Sequence, residues 1–215
     1  MRRLRLYDYA ASGNCVKARI MLAHLGLEYE RVPIDILGGD TLTDEYGAVN
    51  PARQTPVLEI DGDPLPQSNA ILWYLAEGTP YLPDRPRERA EVVRWLHFEQ
   101  EWMGSISALR FRLQIGAFGP DDPAAESRRS EARGALALLD GHLAARRFLV
   151  GDAYTIADIA NYGYAHVAPE ATVSLDAFPA VRAWIERVES QPGFVNDLVP
   201  VPATARLGLG LSIYG

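Results

Sequence analysis

The sequence predicts an α/β plus all-α fold: a small mixed unit of order βαβαββα over residues 1–79, then a helical bundle over residues 87–215. Three observations carry this expectation. Short strand-like runs alternate with helical ones only as far as Glu77. From about Arg87 the apolar positions recur almost purely at helical spacing. Between them, Thr79 to Pro86 holds three prolines and reads as a linker.

Taken in order, Leu4, Leu6 and Asp8 alternate with Arg5, Tyr7 and Tyr9, the period of a strand, until Ser12-Gly13-Asn14 breaks it. Cys15, Ala18, Ile20, Met21, Leu22 and Leu25 then recur at helical spacing, and Gly26 supplies the stop. Glu28 to Ile34 reads as a second strand, with Pro33 suited to an edge or an end. A short helix is expected near Thr43–Val49. Val57–Ile60 and a returning strand through Pro64–Pro66 form a hairpin about Asp61-Gly62. Ser68 to Ala76 is expected as a helix with Ser68 as its capping residue. In the second half a single long helix is expected from Arg87 to Phe118, striped by Trp95, Phe98, Trp102, Met103 and Leu109. Gly119-Pro120-Asp121 ends it, and Leu136, Leu139 and Leu143 mark the buried side of the next helix. Thr155-Ile-Ala-Asp158 has the form of a capping box, a structural role for both residues, with Tyr154 and Ile159 placed as a hydrophobic staple. Pro179 to Ser190 reads as the last helix, and the tail from Pro200 is expected to be partly ordered.

Composition narrows the function. The formal charge of −7 argues against a general nucleic-acid binder. No apolar run approaches the roughly 20 residues of a membrane span, and Met1-Arg2-Arg3 is followed by no apolar signal core. The single cysteine excludes an intrachain disulfide and suits a reducing compartment. His24, His97, His142 and His166 have no metal-ligand spacing, so no metal is expected. Lys17 is the only lysine among 21 basic residues.

Three segments point to chemistry. Ser12-Gly-Asn-Cys15 joins the first strand to the first helix, where free backbone N–H groups favour an anion. A thioredoxin-like arrangement would place a Cys-x-x-Cys pair there; serine in the first position cannot form a disulfide but can donate to the sulfur of a ligand. Asn50-Pro-Ala-Arg-Gln-Thr55-Pro56-Val-Leu suits a cis X–Pro bond that opens the Thr55 backbone to a peptide. Gln67-Ser68-Asn69 opens a helix and offers hydroxyl and amides to a carboxylate.

In this order, and with Gly151-Asp…Thr155-x-Ala-Asp158 downstream, these segments resemble the glutathione transferase superfamily, especially its serine-type and bacterial branches. The resemblance implies a thioredoxin-like glutathione-binding domain, a helical domain and a homodimer in the cytoplasm, with no cofactor beyond glutathione as co-substrate. It implies conjugation of the glutathione thiolate to a small hydrophobic electrophile. The alternatives are a glutathione-dependent disulfide reductase or lyase of the same fold, or a non-catalytic binding module. Carried over by position, Ser12 polarises the sulfur, with Asn14 as rival or co-catalyst. Arg53, Gln54, Thr55, Pro56, Gln67 and Ser68 hold glutathione, and Lys17 is either a solvent-facing helix residue or a further contact. Tyr9, Trp102, Met103 and Phe111 are candidates for the electrophile site. Cys15 reads as a buried helix residue rather than a redox nucleophile. Gln67 stands where many relatives have Glu, which leaves the glutathione α-amino group in want of an acid; Glu99 or Glu101 of a second subunit is the expected substitute.

Overall fold

A computed structural model describes residues 2–119 and 121–202. Four strands form one sheet in the order β2-β1-β3-β4: β1 Leu4–Asp8, β2 Glu30–Pro33, β3 Val57–Ile60 and β4 Asp63–Pro66. β1 runs parallel to β2 and antiparallel to β3, and β3 pairs with β4 across the Asp61-Gly62 turn. Both turn residues have positive φ (53° and 98°), as a tight two-residue hairpin connection demands. β2 is shorter than expected, and Pro33 closes it at the sheet's edge, where a missing N–H costs nothing.

The alternation read in β1 divides the sheet's two faces. Leu4 and Leu6 join Val16, Ile20, Ile71 and Leu72 in the main core, so α1 (Gly13–His24) and α3 (Ser68–Ala76) pack on that side. Tyr7 belongs to a smaller cluster with Ile34, Tyr46 and Val57, which seats the short α2 (Asp44–Val49). Thr43 caps α2 through the N–H of Tyr46 at 3.2 Å.

The helical half consists of α4 (Pro86–Phe98), α5 (Gly104–Gln114), α6 (Pro123–Leu143), α7 (Ile156–Ala165) and α8 (Pro179–Glu189). All ten residues of α7 are buried, and α1, α3, α4, α5 and α8 pack around it. The capping box at Thr155 and Asp158 is present on this helix, and Leu136, Leu139 and Leu143 are buried as expected. α7 also carries the sheet half: α1 lies directly against it.

Two expectations about these elements need correction. The helix expected from Arg87 to Phe118 is not uniform; Glu99–Met103 form a π-helical segment between α4 and α5, and α5 ends at Gln114. A π segment widens one turn by an added residue and rotates the faces that follow, which a 3.6-residue period cannot reveal. Ser68 is not the cap of α3: Gln67 holds that position at φ 78°, and Ser68 is the first helical residue. The tail begins as irregular chain with Val201 buried beside Tyr9 and Leu37. Its continuation from Ala203, like Pro120 of the expected break, lies outside the described residues.

Candidate active site

The site is built around the start of α1. After β1 the chain turns through a Ser12 N–H bond to the Tyr9 carbonyl at 2.9 Å, and Ser12 Oγ accepts the Cys15 N–H at 3.3 Å. Gly13 is required here: a Cβ would lie 2.6 Å from the Gly163 carbonyl oxygen, so only glycine lets α1 meet α7 this closely. Arg110 on α5 donates to the Ala11 carbonyl at 2.8 Å and to Glu170 at 2.7 Å, fixing the loop that precedes Ser12.

Asn14 is held by three donors. Its Oδ1 accepts from Lys17 Nζ at 2.8 Å, Tyr164 Oη at 2.9 Å and Ser68 Oγ at 3.2 Å. An ammonium only donates, so the atom facing Lys17 must be the amide oxygen. Among the described residues no hydrogen bond engages Nδ2, which leaves two donors at the cavity wall.

Lys17 corrects both readings made of it. It is fully buried and absent from the cavity wall, so it neither faces solvent nor contacts a ligand there. Its Nζ lies 2.5 Å from Glu99 Oε1 and 4.0 Å from the centre of the Tyr164 ring. Burial pulls the Lys17 ammonium below its ordinary pKa, and the Glu99 carboxylate opposes that shift. Glu99 is equally buried, its other oxygen taking Asn69 Nδ2 at 2.9 Å and Gln100 Nε2 at 2.8 Å. It is committed within its own chain and cannot serve a second subunit. The physical reason is α1's position between the sheet and α7, which buries the side that periodicity assigned to solvent.

The Thr55–Pro56 peptide bond is cis. No backbone hydrogen bond of the described residues engages Thr55, whereas the neighbouring Gln54 carbonyl is held by Tyr46 Oη and Asn50 Nδ2, each at 2.8 Å. Thr55 therefore has both main-chain groups open beside the cavity. Gln54 and Gln67 bond through their side chains at 3.1 Å. No side chain caps α3, so its first N–H groups remain available to an anion. Arg53 donates to the carbonyls of Thr41 and Thr43 at 2.9 and 2.7 Å, and thus ties down the loop it borders.

These residues share one cavity of about 510 Å³. Ser12, Asn14, Arg53, Gln54, Thr55, Pro56, Gln67 and Ser68 all line it. Tyr9, Ile36, Leu37, Phe111, Ile115 and Ala117 supply apolar lining. Of the four residues expected around the electrophile, Tyr9 and Phe111 lie here. Met103 is instead fully buried core, and Trp102 is 46% exposed on the outer side, stacked on Phe98. The π segment turned that face away. Sequence reading missed Tyr164, Arg110 and Gln100, all of which line the cavity. A glycine in the middle of α7 was the available signal: a Cβ on Gly163 would meet Lys17 Cε at 2.6 Å. Cys15 is buried and its thiol is pushed up to about 12, chiefly by burial, so it is no nucleophile at neutral pH. Among the described residues no cluster of His, Cys, Asp and Glu could hold a metal, and no helix is long and apolar enough to cross a membrane.

Comparison with known proteins agrees with this architecture. Residues 11–77 match the glutathione S-transferase N-terminal domain, and residues 103–192 the glutathione S-transferase C-terminal domain. Glutathione S-transferase 3 of Zea mays is 32% identical over 94% of this chain and 96% of its own length. Disulfide-bond oxidoreductase YfcG of Escherichia coli is 28% identical over 86% of this chain and 89% of its own. Among solved structures, a glutathione S-transferase from Pseudomonas fluorescens is 41% identical with a TM-score of 0.88, over 91% of this chain and 99% of that one. A glutathione transferase from Burkholderia graminis, solved with two glutathione molecules per subunit, is 30% identical with a TM-score of 0.78 over 91% and 87%. With the four-stranded sheet, the helical half and both domain signatures in place, the chain belongs to the glutathione S-transferase family.

Proposed function

We propose that the chain is a glutathione transferase that activates the glutathione thiol at the start of α1 and adds it to a small hydrophobic electrophile. The observation that carries this is the cavity's mixed lining. It offers the Ser12 hydroxyl, the oriented Asn14 amide, the open Thr55 backbone and an uncapped helix beside the apolar side chains of Tyr9, Leu37, Phe111 and Ile115. Peptide recognition falls to residues 1–79, and the electrophile meets apolar side chains of both halves, Tyr9, Ile36 and Leu37 from the first and Phe111, Ile115 and Ala117 from the second. The thiol proton leaves to solvent, and the donors at α1 hold the thiolate. Its sulfur then bonds to the electrophilic carbon, which expels a leaving group or, after addition to an activated double bond, takes up a proton. Titration calorimetry with glutathione, and conjugation of a chlorodinitrobenzene followed by absorbance, test the reading. Saturable heat and glutathione-dependent product are expected; no heat at millimolar glutathione would sink it.

A second reading, glutathione-dependent disulfide reduction, is favoured by the relative named as a disulfide-bond oxidoreductase. Buried Cys15 cannot supply the sulfur, so such chemistry would run on glutathione alone. Reduction of a small organic disulfide outpacing conjugation would select it.

The chain acts as a homodimer in a reducing cytoplasm, the compartment that a lone thiol suits. Tyr74, Val93 and Trp102 are exposed, and Phe98 stacks beneath Trp102, so α3, α4 and the π segment offer the apolar surface for a partner. With Glu99 committed internally, exposed Glu101 is the remaining acid for the glutathione α-amino group. Sedimentation at micromolar concentration should show about twice 23.7 kDa; a 23.7 kDa species alone would remove both the dimer and the shared acid.

A further inference from the structure

The buried pair of Lys17 and Glu99 has no part in binding as described, yet it joins four elements at the centre of the molecule. Lys17 Nζ contacts Glu99 Oε1, Asn14 Oδ1 and the Tyr164 ring face. Glu99 in turn reaches Asn69 near the start of α3 and Gln100 at the cavity wall. Two backbone departures accommodate it. The π segment begins at Glu99, and Gly163 leaves the space that the Lys17 side chain fills. Taking both charges from water is costly, and an apolar pair of similar volume often serves stability as well. The lysine must therefore do something an apolar residue would not.

What it does is visible at Asn14. Of the three groups on Oδ1, Ser68 and Tyr164 carry hydroxyls, which donate or accept and fit either orientation of an amide. Lysine can only donate. It alone distinguishes Oδ1 from Nδ2, and so it alone decides which end of the amide faces the cavity.

We propose that Lys17 is a positioning residue for thiol activation: held by Glu99 and the Tyr164 ring, it fixes the Asn14 carbonyl inward and turns the amide N–H groups toward the ligand's sulfur. This rests on the glutathione reading above. With lysine absent, the amide can flip and present its oxygen to a thiolate, which repels it.

The test is a double-mutant cycle read by kcat, by KM for glutathione and by the pKa of bound thiol, followed by ultraviolet difference absorbance. Lys17→Met should raise the thiol pKa and lower kcat roughly tenfold to 10²-fold, the range up to loss of one oriented donor, with KM little changed. In an Asn14→Ala background the same substitution should lower kcat no further. Lys17→Met alone strands the Glu99 carboxylate, so Lys17→Met with Glu99→Gln supplies the same readout in a pair without charge. Unchanged kcat and thiol pKa in either folded variant overturn the proposal. So does an undiminished loss in the Asn14→Ala background, which would mark the pair as a structural tie only. Wild-type protein that binds glutathione yet leaves its thiol at the solution pKa would instead overturn the functional reading itself.

Discussion

Asn14→Ala should slow conjugation by about 10²-fold or more in kcat, as loss of an oriented donor to a developing anion does elsewhere. Ser12→Ala should cost less. The difference lies in preorganisation. The Asn14 amide is fixed by three donors to its oxygen at 2.8, 2.9 and 3.2 Å, so its N–H groups are oriented before any thiolate arrives. Ser12 Oγ accepts one bond of 3.3 Å from the Cys15 N–H and otherwise meets the Cys15 thiol, a weak partner, so its hydroxyl proton is less firmly oriented. A rotor must be ordered during the reaction; a pinned amide need not. Ser12→Ala also removes the cap of α1, at a cost of about 1 kcal/mol in stability, so melting temperatures must accompany the kinetics. Thiol pKa values measured by ultraviolet absorbance should rank in the same order: highest in Asn14→Ala, then Ser12→Ala, then wild type. The reverse ranking, with Asn14→Ala near wild type, would return the catalytic role to Ser12 and deprive Lys17 of its target.

The βαβαββα order, the cis bond before Pro56 and the capping box at Thr155 were legible because each is a local pattern. A strand period, a proline after a polar loop and a Thr-x-x-Asp quartet are each completed by residues adjacent in the chain. Lys17 was illegible for the opposite reason. A helix pattern identifies one apolar face, but α1 is buried on two: Arg19 meets Asp8 beside the sheet and Lys17 meets Glu99 beneath α7. Charged side chains at such positions look solvent-facing until their partners, eleven residues before in one case and 82 after in the other, are seen. Trp102 and Met103 failed differently. Their place in the apolar stripe was sound for a regular helix, and one inserted π turn exchanged which of the surrounding faces met the cavity. Ser68 was misassigned because Gln67 adopts positive φ, a conformation that composition does not announce outside glycine and asparagine.

Asp158→Ala should be the most damaging change away from the cavity. Its carboxylate accepts the Leu149 N–H at 3.0 Å and Trp184 Nε1–H at 2.9 Å on one oxygen, and the Thr155 N–H at 3.0 Å and hydroxyl at 3.3 Å on the other. It thereby ties the turn before α7, the cap of α7 and the middle of α8, all out of contact with water. Alanine leaves several buried donors unmatched at about 1–3 kcal/mol each, and a total of roughly 3–5 kcal/mol is expected after relaxation. For a chain of this size that lowers the melting temperature by about 10 °C. Asp158→Asn separates the charge from the contacts. Burial raises the Asp158 pKa from 3.8 to about 6, outweighing the donors that lower it. The folded state therefore binds this proton more tightly than the unfolded chain does, and the contribution is stabilising at low pH. It is full below the unfolded pKa of 3.8 and is lost as pH rises through about 6. Urea unfolding at fixed protein concentration should show the wild-type advantage over Asp158→Asn shrinking between those two values and constant above them. An advantage that grows with pH would mean that the donors, not burial, control this carboxylate, and that it stays ionised throughout the acid range.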